Sequence, residues 1–337
     1  MNTQSPQISE PIPIVFVHKG DSWYLPYVLN QALSVNNNAH VTLLSDTKAN
    51  GNINGLDLIP INTLQSDLIH NFHQHYKHIS TNSQDYEIFC WLRWFYLLAY
   101  MERENIAHAF YLDSDVLIFS SPAYILSLYP ETSKGCAFSI PQQEYASNYW
   151  CAGGQVSYWT QDALRKFCYF TINSFQKKEL LDLYIHKWSW HLNHKIAGGI
   201  CDMTTLYLFS QDCSNHVTNF LAENRDGIFD MNFNSSDNFL ENEYEMERSH
   251  KKVVLSQNRL LAFSKDSSVN LHTIHFQGWA KRFIPYYYRG LPFQETLNHK
   301  LEKITYSVQS PLKIIFKPYL IQVQIVLKKL MNFYTGV

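Results

Sequence analysis

Residues 109–120 read AFYLDSDVLIFS, an apolar run carrying two carboxylates, Asp113 and Asp115, one residue apart. The hydrophobic flanks on both sides predict a buried β-strand. On a strand, residues i and i+2 share a face, with Cα atoms roughly 6.5–7 Å apart, so the two carboxylates aim at one point and Ser114 faces the other way. An unpaired buried carboxylate is costly, and two that converge repel and raise one another's pKa. A hard divalent cation such as Mn2+ or Mg2+ resolves both problems, because it takes oxygen ligands and bridges carboxylates to phosphates.

Upstream, IPIVFVH (12–18) predicts a strand, GDSWYLPYVLNQALSVN a turn and a helix, and HVTLLSD (40–46) a second strand. Strand, helix and strand in this order open an α/β nucleotide-binding sheet. In such sheets ligands bind at the carboxyl ends of the strands, where His18, Lys19 and Asp46 fall. Asp46 is then either a base or ribose contact or a cap on the next element. The run YEIFCWLRWFYLLAY (86–100) is apolar on nearly all sides and predicts a buried helix. Arg93 in its middle needs a carboxylate, a phosphate or a sugar hydroxyl to hold it, and the Asp pair about twenty residues later is the expected brace.

Downstream, NYWCAGGQVSYWT (148–160) places Gly153-Gly154 in an aromatic segment, a sign of a bulge or of close approach by backbone or ligand. In KIAGGICDMTTLYLFS, Asp202 precedes a helical run, as its N-cap or as a group near the substrate. Finally NLHTIHFQGWAKRF (270–283) spells H-x-x-G-x-x-K with His275, Gly278 and Lys281. Each suits a diphosphate: an imidazole for the metal, a glycine that lets backbone N–H approach phosphate, and a point charge for the leaving group.

D-x-D followed by H-x-x-G-x-x-K resembles glycosyltransferase family 8, which includes glycogenin and bacterial lipopolysaccharide galactosyl- and glucosyltransferases. The resemblance implies a GT-A fold, a Rossmann-like α/β architecture with a mixed central sheet flanked by helices. It implies a UDP-sugar donor, Mn2+ or Mg2+, and transfer of a hexose to a saccharide or lipid-linked hydroxyl with retention of configuration. The implied metal ligands are Asp113, Asp115 and His275. The residues expected on the nucleotide sugar are His18, Asp46, Arg93, Ser114, Gly153, Gly278 and Lys281. Asp202, Arg93 and Lys281 carry the catalytic roles, with Asp202 near the anomeric carbon. Two further family motifs are altered: Cys151-Ala152-Gly153 stands for N-A-G, and Asp202-Met203-Thr204-Thr205-Leu206 for D-Q-D-x-L. Those changes leave room for a second reading, a catalytically silent nucleotide-sugar-binding protein.

The 337 residues, 46% hydrophobic and 17% charged, indicate a folded chain, and the net charge of -2 points away from nucleic acid. The 22 Tyr, 21 Phe and 8 Trp suit either ring and sugar binding or an aromatic core. Six cysteines without a CxxC pair suggest reduced thiols and a cytoplasmic location. The histidines 70, 73, 75 and 78 lack a zinc motif and read as a polar or acceptor-facing surface. Domain organisation is expected as a disordered lead (1–11), a catalytic domain (12–290) and a helical extension (291–337). Within the extension, residues 310–337 contain Lys313, Lys317, Lys328 and Lys329 and no acidic residue, which suits either peripheral contact with the inner face of a membrane or docking against the main domain.

Overall fold

The computed structural model describes residues 12–36, 40–142, 150–257, 259–264 and 267–307. The expected lead (1–11) and the basic segment 310–337 lie outside the described residues. The chain starts as expected with β1 (Ile14–His18), α1 (Leu25–Val35) and β2 (Val41–Ser45), then adds β3 (Leu56–Pro60), α2 (Asp67–His75) and α3 (Gln84–Arg103). After β4 (His108–Leu112) come β5 (Val116–Ile118), α4 (Pro122–Leu128), β6 (Cys136–Ser139), β7 (Gly153–Thr160), α5 (Gln161–Gln176), α6 (Lys178–His194) and α7 (Asp202–Ser210). The last third holds β8 (Val217–Asn219), β9 (Ile228–Phe229), β10 (Met246–Glu247), β11 (His250–Lys251), β12 (Val253–Ser256), β13 (Arg259–Phe263), β14 (Ser268–His275) and α8 (Ile284–Tyr287), and residues 297–307 are helical.

Among the described residues, the main sheet has the order β3-β2-β1-β4-β7-β6-β8. The first four strands run parallel, and β7 is antiparallel to both neighbours, so the sheet is mixed as expected. Strand order reverses between β1 and β4, which is the switch point where the carboxyl ends of an open α/β sheet leave a crevice. Both faces are covered. Ile14 and Phe16 of β1 enter one core cluster and Val15 and Val17 the other, the alternation of a strand buried on two sides.

The second cluster explains much of the aromatic content. Trp91 and Trp94 of α3 and Trp159 of β7 are fully buried, with Trp94 and Trp159 rings 5.5 Å apart and Phe167 of α5 against both. Truncating one such ring to alanine costs about 3–5 kcal/mol.

A smaller sheet, β12-β13-β14-β5, is joined by β9 alongside β14. Its junction with the main sheet places the site. The antiparallel pairing of β14 with β5 sets His275 opposite Val116, and the Phe276 N–H donates to the Asp115 carbonyl at 2.9 Å. A residue from the far end of the chain therefore lands beside the D-x-D pair.

Candidate active site

The structure corrects the local setting of that pair. β4 ends at Leu112 and β5 begins at Val116, so Asp113-Ser114-Asp115 forms a turn between strands of different sheets. The Val116 N–H closes it on the Asp113 carbonyl at 3.0 Å, and the Asp113 N–H donates to the Gln155 carbonyl of β7 at 2.8 Å. Asp and Ser favour turns because their short polar side chains satisfy nearby backbone. The carboxylates thus leave from the carboxyl end of β4 rather than mid-strand, and each meets its own set of partners.

Asp113 faces α3. Its Oδ1 accepts from Arg93 Nη1 at 2.5 Å and from the Tyr111 hydroxyl at 2.7 Å. Arg93 also donates through Nε (3.1 Å) and Nη2 (2.5 Å) to Asp202 Oδ2, which takes a further bond from Trp94 Nε1 at 2.9 Å. Rings of Trp94 and Tyr111 lie 4.8 and 5.4 Å from the guanidinium carbon. Burial alone would lower the Arg93 pKa, but Asp113 and Asp202 outweigh it and hold the group well above its ordinary range. The expected brace is present, with Asp202 as a second anchor. Asp202 itself is not the N-cap of α7, a position held by Cys201; it is the first helical residue, and its carboxylate turns inward to Arg93.

Asp115 faces β14 and the loop after it. Lys281 Nζ donates to Oδ2 at 2.5 Å, and His275 Nε2 stands 3.4 Å from Oδ1. Burial would raise the Asp115 pKa, but Lys281 and His275 outweigh it and hold the carboxyl well below the usual range. His275 and Lys281 are held upward by the same carboxylate, against burial. The His275 ring is oriented by Nδ1, which donates to the Met231 carbonyl at 2.7 Å and leaves Nε2 facing Asp115.

Ligand atoms of Asp113, Asp115 and His275 all lie within 4.8 Å of one another. Two carboxylate oxygens and one oriented imidazole nitrogen fit a Mg2+ or Mn2+ ion that keeps its remaining positions for phosphate. The histidines of α2 and its flank join no such group among the described residues.

Gly278 sits at φ +57, and a Cβ there would meet nothing within 4 Å. Backbone conformation, not crowding, calls for glycine, and the space above it is open. This loop is held from both sides: Asn234 Nδ2 donates to the Gln277 carbonyl at 2.6 Å, and the Tyr306 hydroxyl donates to the Gly278 carbonyl. Gly153, by contrast, is packed, since a Cβ would come within 2.2 Å of Gln155 Oε1 and 2.9 Å of Met231.

His18 lies at the end of β1 with Nδ1 2.8 Å from Ser114 Oγ and Nε2 3.1 Å from Ser22 Oγ. Burial lowers its pKa to about 4, against the opposing pull of Asp115 and Asp46, so the imidazole is neutral between two hydroxyls. Ser114 therefore points toward the end of β1. Asp46 Oδ1 accepts the Gly20 N–H at 2.7 Å and pins the loop after β1. Lys281 Nζ lies 5.4 Å from the Tyr24 ring. Tyr24, Trp94, Tyr111, Met231 and Tyr306 were not singled out by sequence. Tyr111 alone carried a signal, its i, i+2 spacing to Asp113. Two surface cavities, of about 570 and 460 Å³, lie off this centre, one near His40 and Glu104 and the other beside Asp46 and Lys48.

No protein-family model matches the sequence, and no curated protein matches it. Among solved structures, mouse xyloside xylosyltransferase 1 (apo form) is 10% identical with a TM-score of 0.42, over 62% of this chain and 84% of that one. The galactosyltransferase LgtC, in complex with donor and acceptor sugar analogs, is 17% identical with a TM-score of 0.32, over 59% and 70%. GlyE of Streptococcus pneumoniae is 14% identical with a TM-score of 0.33, over 62% and 44%. In this chain the D-x-D turn stands at the switch point of the main sheet, and His275 joins the pair. The fold itself is mixed α/β, a central sheet flanked by helices. In this frame the trio stands at the carboxyl end of β4, and Arg93 of α3 lies behind Asp113.

Proposed function

We propose that this chain is a metal-dependent glycosyltransferase that moves a hexose from a UDP-sugar to a saccharide or lipid-linked hydroxyl with retention. The observation that carries the reading is the convergence of Asp113, Asp115 and His275, with Lys281 on Asp115 and open space over Gly278. A bound Mn2+ or Mg2+ would supply charge for the departing diphosphate. Lys281 adds a second positive charge there, and the Gly278 loop presents backbone to phosphate. Arg93 and Asp202 position the sugar ring behind Asp113.

Asp202 Oδ2 already accepts three charge-assisted or indole N–H bonds. Such a carboxylate is a weakened nucleophile, which favours front-face attack over double displacement. In that step the acceptor oxygen bonds the anomeric carbon as its bond to phosphate breaks, and the acceptor proton passes to the leaving diphosphate.

The proposed location is cytoplasmic, with contact at the inner face of a membrane through the C-terminal segment. Among the described residues no helix is long and apolar enough to cross a membrane. Leu297, Leu301 and Ile304, at 72%, 55% and 62% exposure, form one apolar face of the helical segment 297–307 leading into the basic stretch. Release from anionic vesicles on truncation after 307 tests this; unchanged binding refutes it.

The activity is tested with a UDP-sugar panel scored for UDP release. One donor is expected to turn over only with Mn2+ or Mg2+, and Asp113→Ala and Asp115→Ala are each expected to abolish it. Full activity in both variants ends the metal reading. Binding of a UDP-sugar without transfer or hydrolysis would instead establish the silent binding protein.

A further inference from the structure

Two charged side chains outside the site are almost wholly enclosed. Asp230, one residue past β9, and Lys251 of β11 each have a side chain 1% exposed, and their charges meet at 2.7 Å. Burying two ions is costly, and apolar replacements of a buried pair are often tolerated, so stability alone is a weak reason for this one. Its bonds point elsewhere. Lys251 Nζ uses all three donors, on Asp230 Oδ1 (2.7 Å), the Asn232 carbonyl (2.8 Å) and the Asp237 carbonyl (2.9 Å). The other Asp230 oxygen accepts the backbone N–H of His275 at 3.0 Å.

The stretch 230–233 holds His275 at three points. Asp230 takes its N–H, Met231 takes its Nδ1–H at 2.7 Å, and the Phe233 N–H donates to its carbonyl at 3.0 Å. The ammonium of Lys251 gathers that stretch from behind, and the Lys251 N–H adds a bond to the Phe233 carbonyl at 2.8 Å.

We propose that the buried Asp230–Lys251 pair is a positioning device that presents His275 Nε2 to the cation shared with Asp113 and Asp115, and so sets metal affinity. This rests on the metal-site reading above. Neither side chain touches the cation, the donor or the reacting atoms; both act through His275. Groups that orient a metal-ligating histidine typically change metal affinity about 10–100-fold when removed.

The test is Mn2+ binding to the full chain, followed by electron paramagnetic resonance of the free ion, with thermal unfolding measured alongside. Lys251→Met strands Asp230 and is expected to lose both stability and affinity. The decisive protein is the double variant Asp230→Asn with Lys251→Met, which carries no uncompensated buried charge. It is expected to unfold close to the wild-type temperature yet bind Mn2+ about 10–100-fold more weakly. Wild-type affinity in the folded double variant would overturn the positioning role while leaving the metal site standing. Wild-type protein that binds no Mn2+, or binds it unchanged after His275→Ala, would overturn the metal site and this inference together.

Discussion

Asp113 and Asp115 are one residue apart and live in different neighbourhoods. Asp113 edges an enclosed lattice: Arg93, Tyr111, Trp94 and Asp202 interlock, with the Arg93 and Asp202 side chains 12% and 3% exposed and Asp113 itself 22%. Asp115 belongs to the crevice, where Lys281 and His275 approach from the smaller sheet and open space lies over Gly278. The turn between two sheets gives one carboxylate partners on α3 and the other partners on the smaller sheet, and leaves both beside His275.

The sharpest way to break this contrast is to remove one partner from each side. Arg93→Met leaves Asp202 buried and uncompensated, so it is expected to cost about 3–5 kcal/mol of stability along with activity. Asp115→Asn is expected to reduce donor turnover by about 10²–10³-fold, on the scale of losing a main electrostatic contact. Its stability loss should be smaller, because asparagine keeps an oxygen that can accept from Lys281. Denaturant titration beside steady-state kinetics reads both, and equal destabilisation by the two variants would erase the distinction.

A second effect is in pH. His18 is held neutral by burial, its pKa lowered from 6.5 to about 4. The unfolded chain takes up this proton first as pH falls, so stability is full above pH 6.5, declines toward pH 4 and levels below it. The decline is on the order of 3 kcal/mol. Denaturant unfolding across this range should show it in wild type and lose it in His18→Gln; an identical slope in both refutes the assignment.

The smallest effect concerns the loop on the Asp115 side. Tyr306→Phe removes one hydrogen bond to the Gly278 carbonyl, worth about 0.5–1.5 kcal/mol, and should raise the donor KM roughly 2–10-fold with kcat nearly unchanged. An unaltered KM would detach the C-terminal helical segment from donor binding.

Much of this was legible because the informative residues violate their surroundings. Two acids in an apolar run, an arginine in an apolar helix and H-x-x-G-x-x-K after a strand each ask for a partner, and the partners are found near one another. What stayed hidden depends on chain paths. The apolar flanks of Asp113 and Asp115 read as one strand because β4 and β5 are both buried, although they enter different sheets. Asp202 read as a cap or a group near the substrate, and its bond to Arg93, 109 residues earlier, has no signature in the spacing. Nothing in the spacing of Asp230 and Lys251 couples them to His275. The segment 291–307 read as an appendage, yet Glu302 accepts the Trp23 N–H at 3.0 Å and His299 meets Asp21 at 3.0 Å.

The turn that divides the two carboxylates also divides them in time. Arg93 precedes Asp113 by 20 residues, so that partner exists before the carboxylate leaves the ribosome. Lys281 follows Asp115 by 166 residues, which at ~5–20 residues per second is roughly 8–33 s of synthesis. A nascent chain therefore has Arg93 ready for Asp113 at once and carries Asp115 without its lysine for 166 further residues. The reactive side of the crevice is completed after the wall behind it.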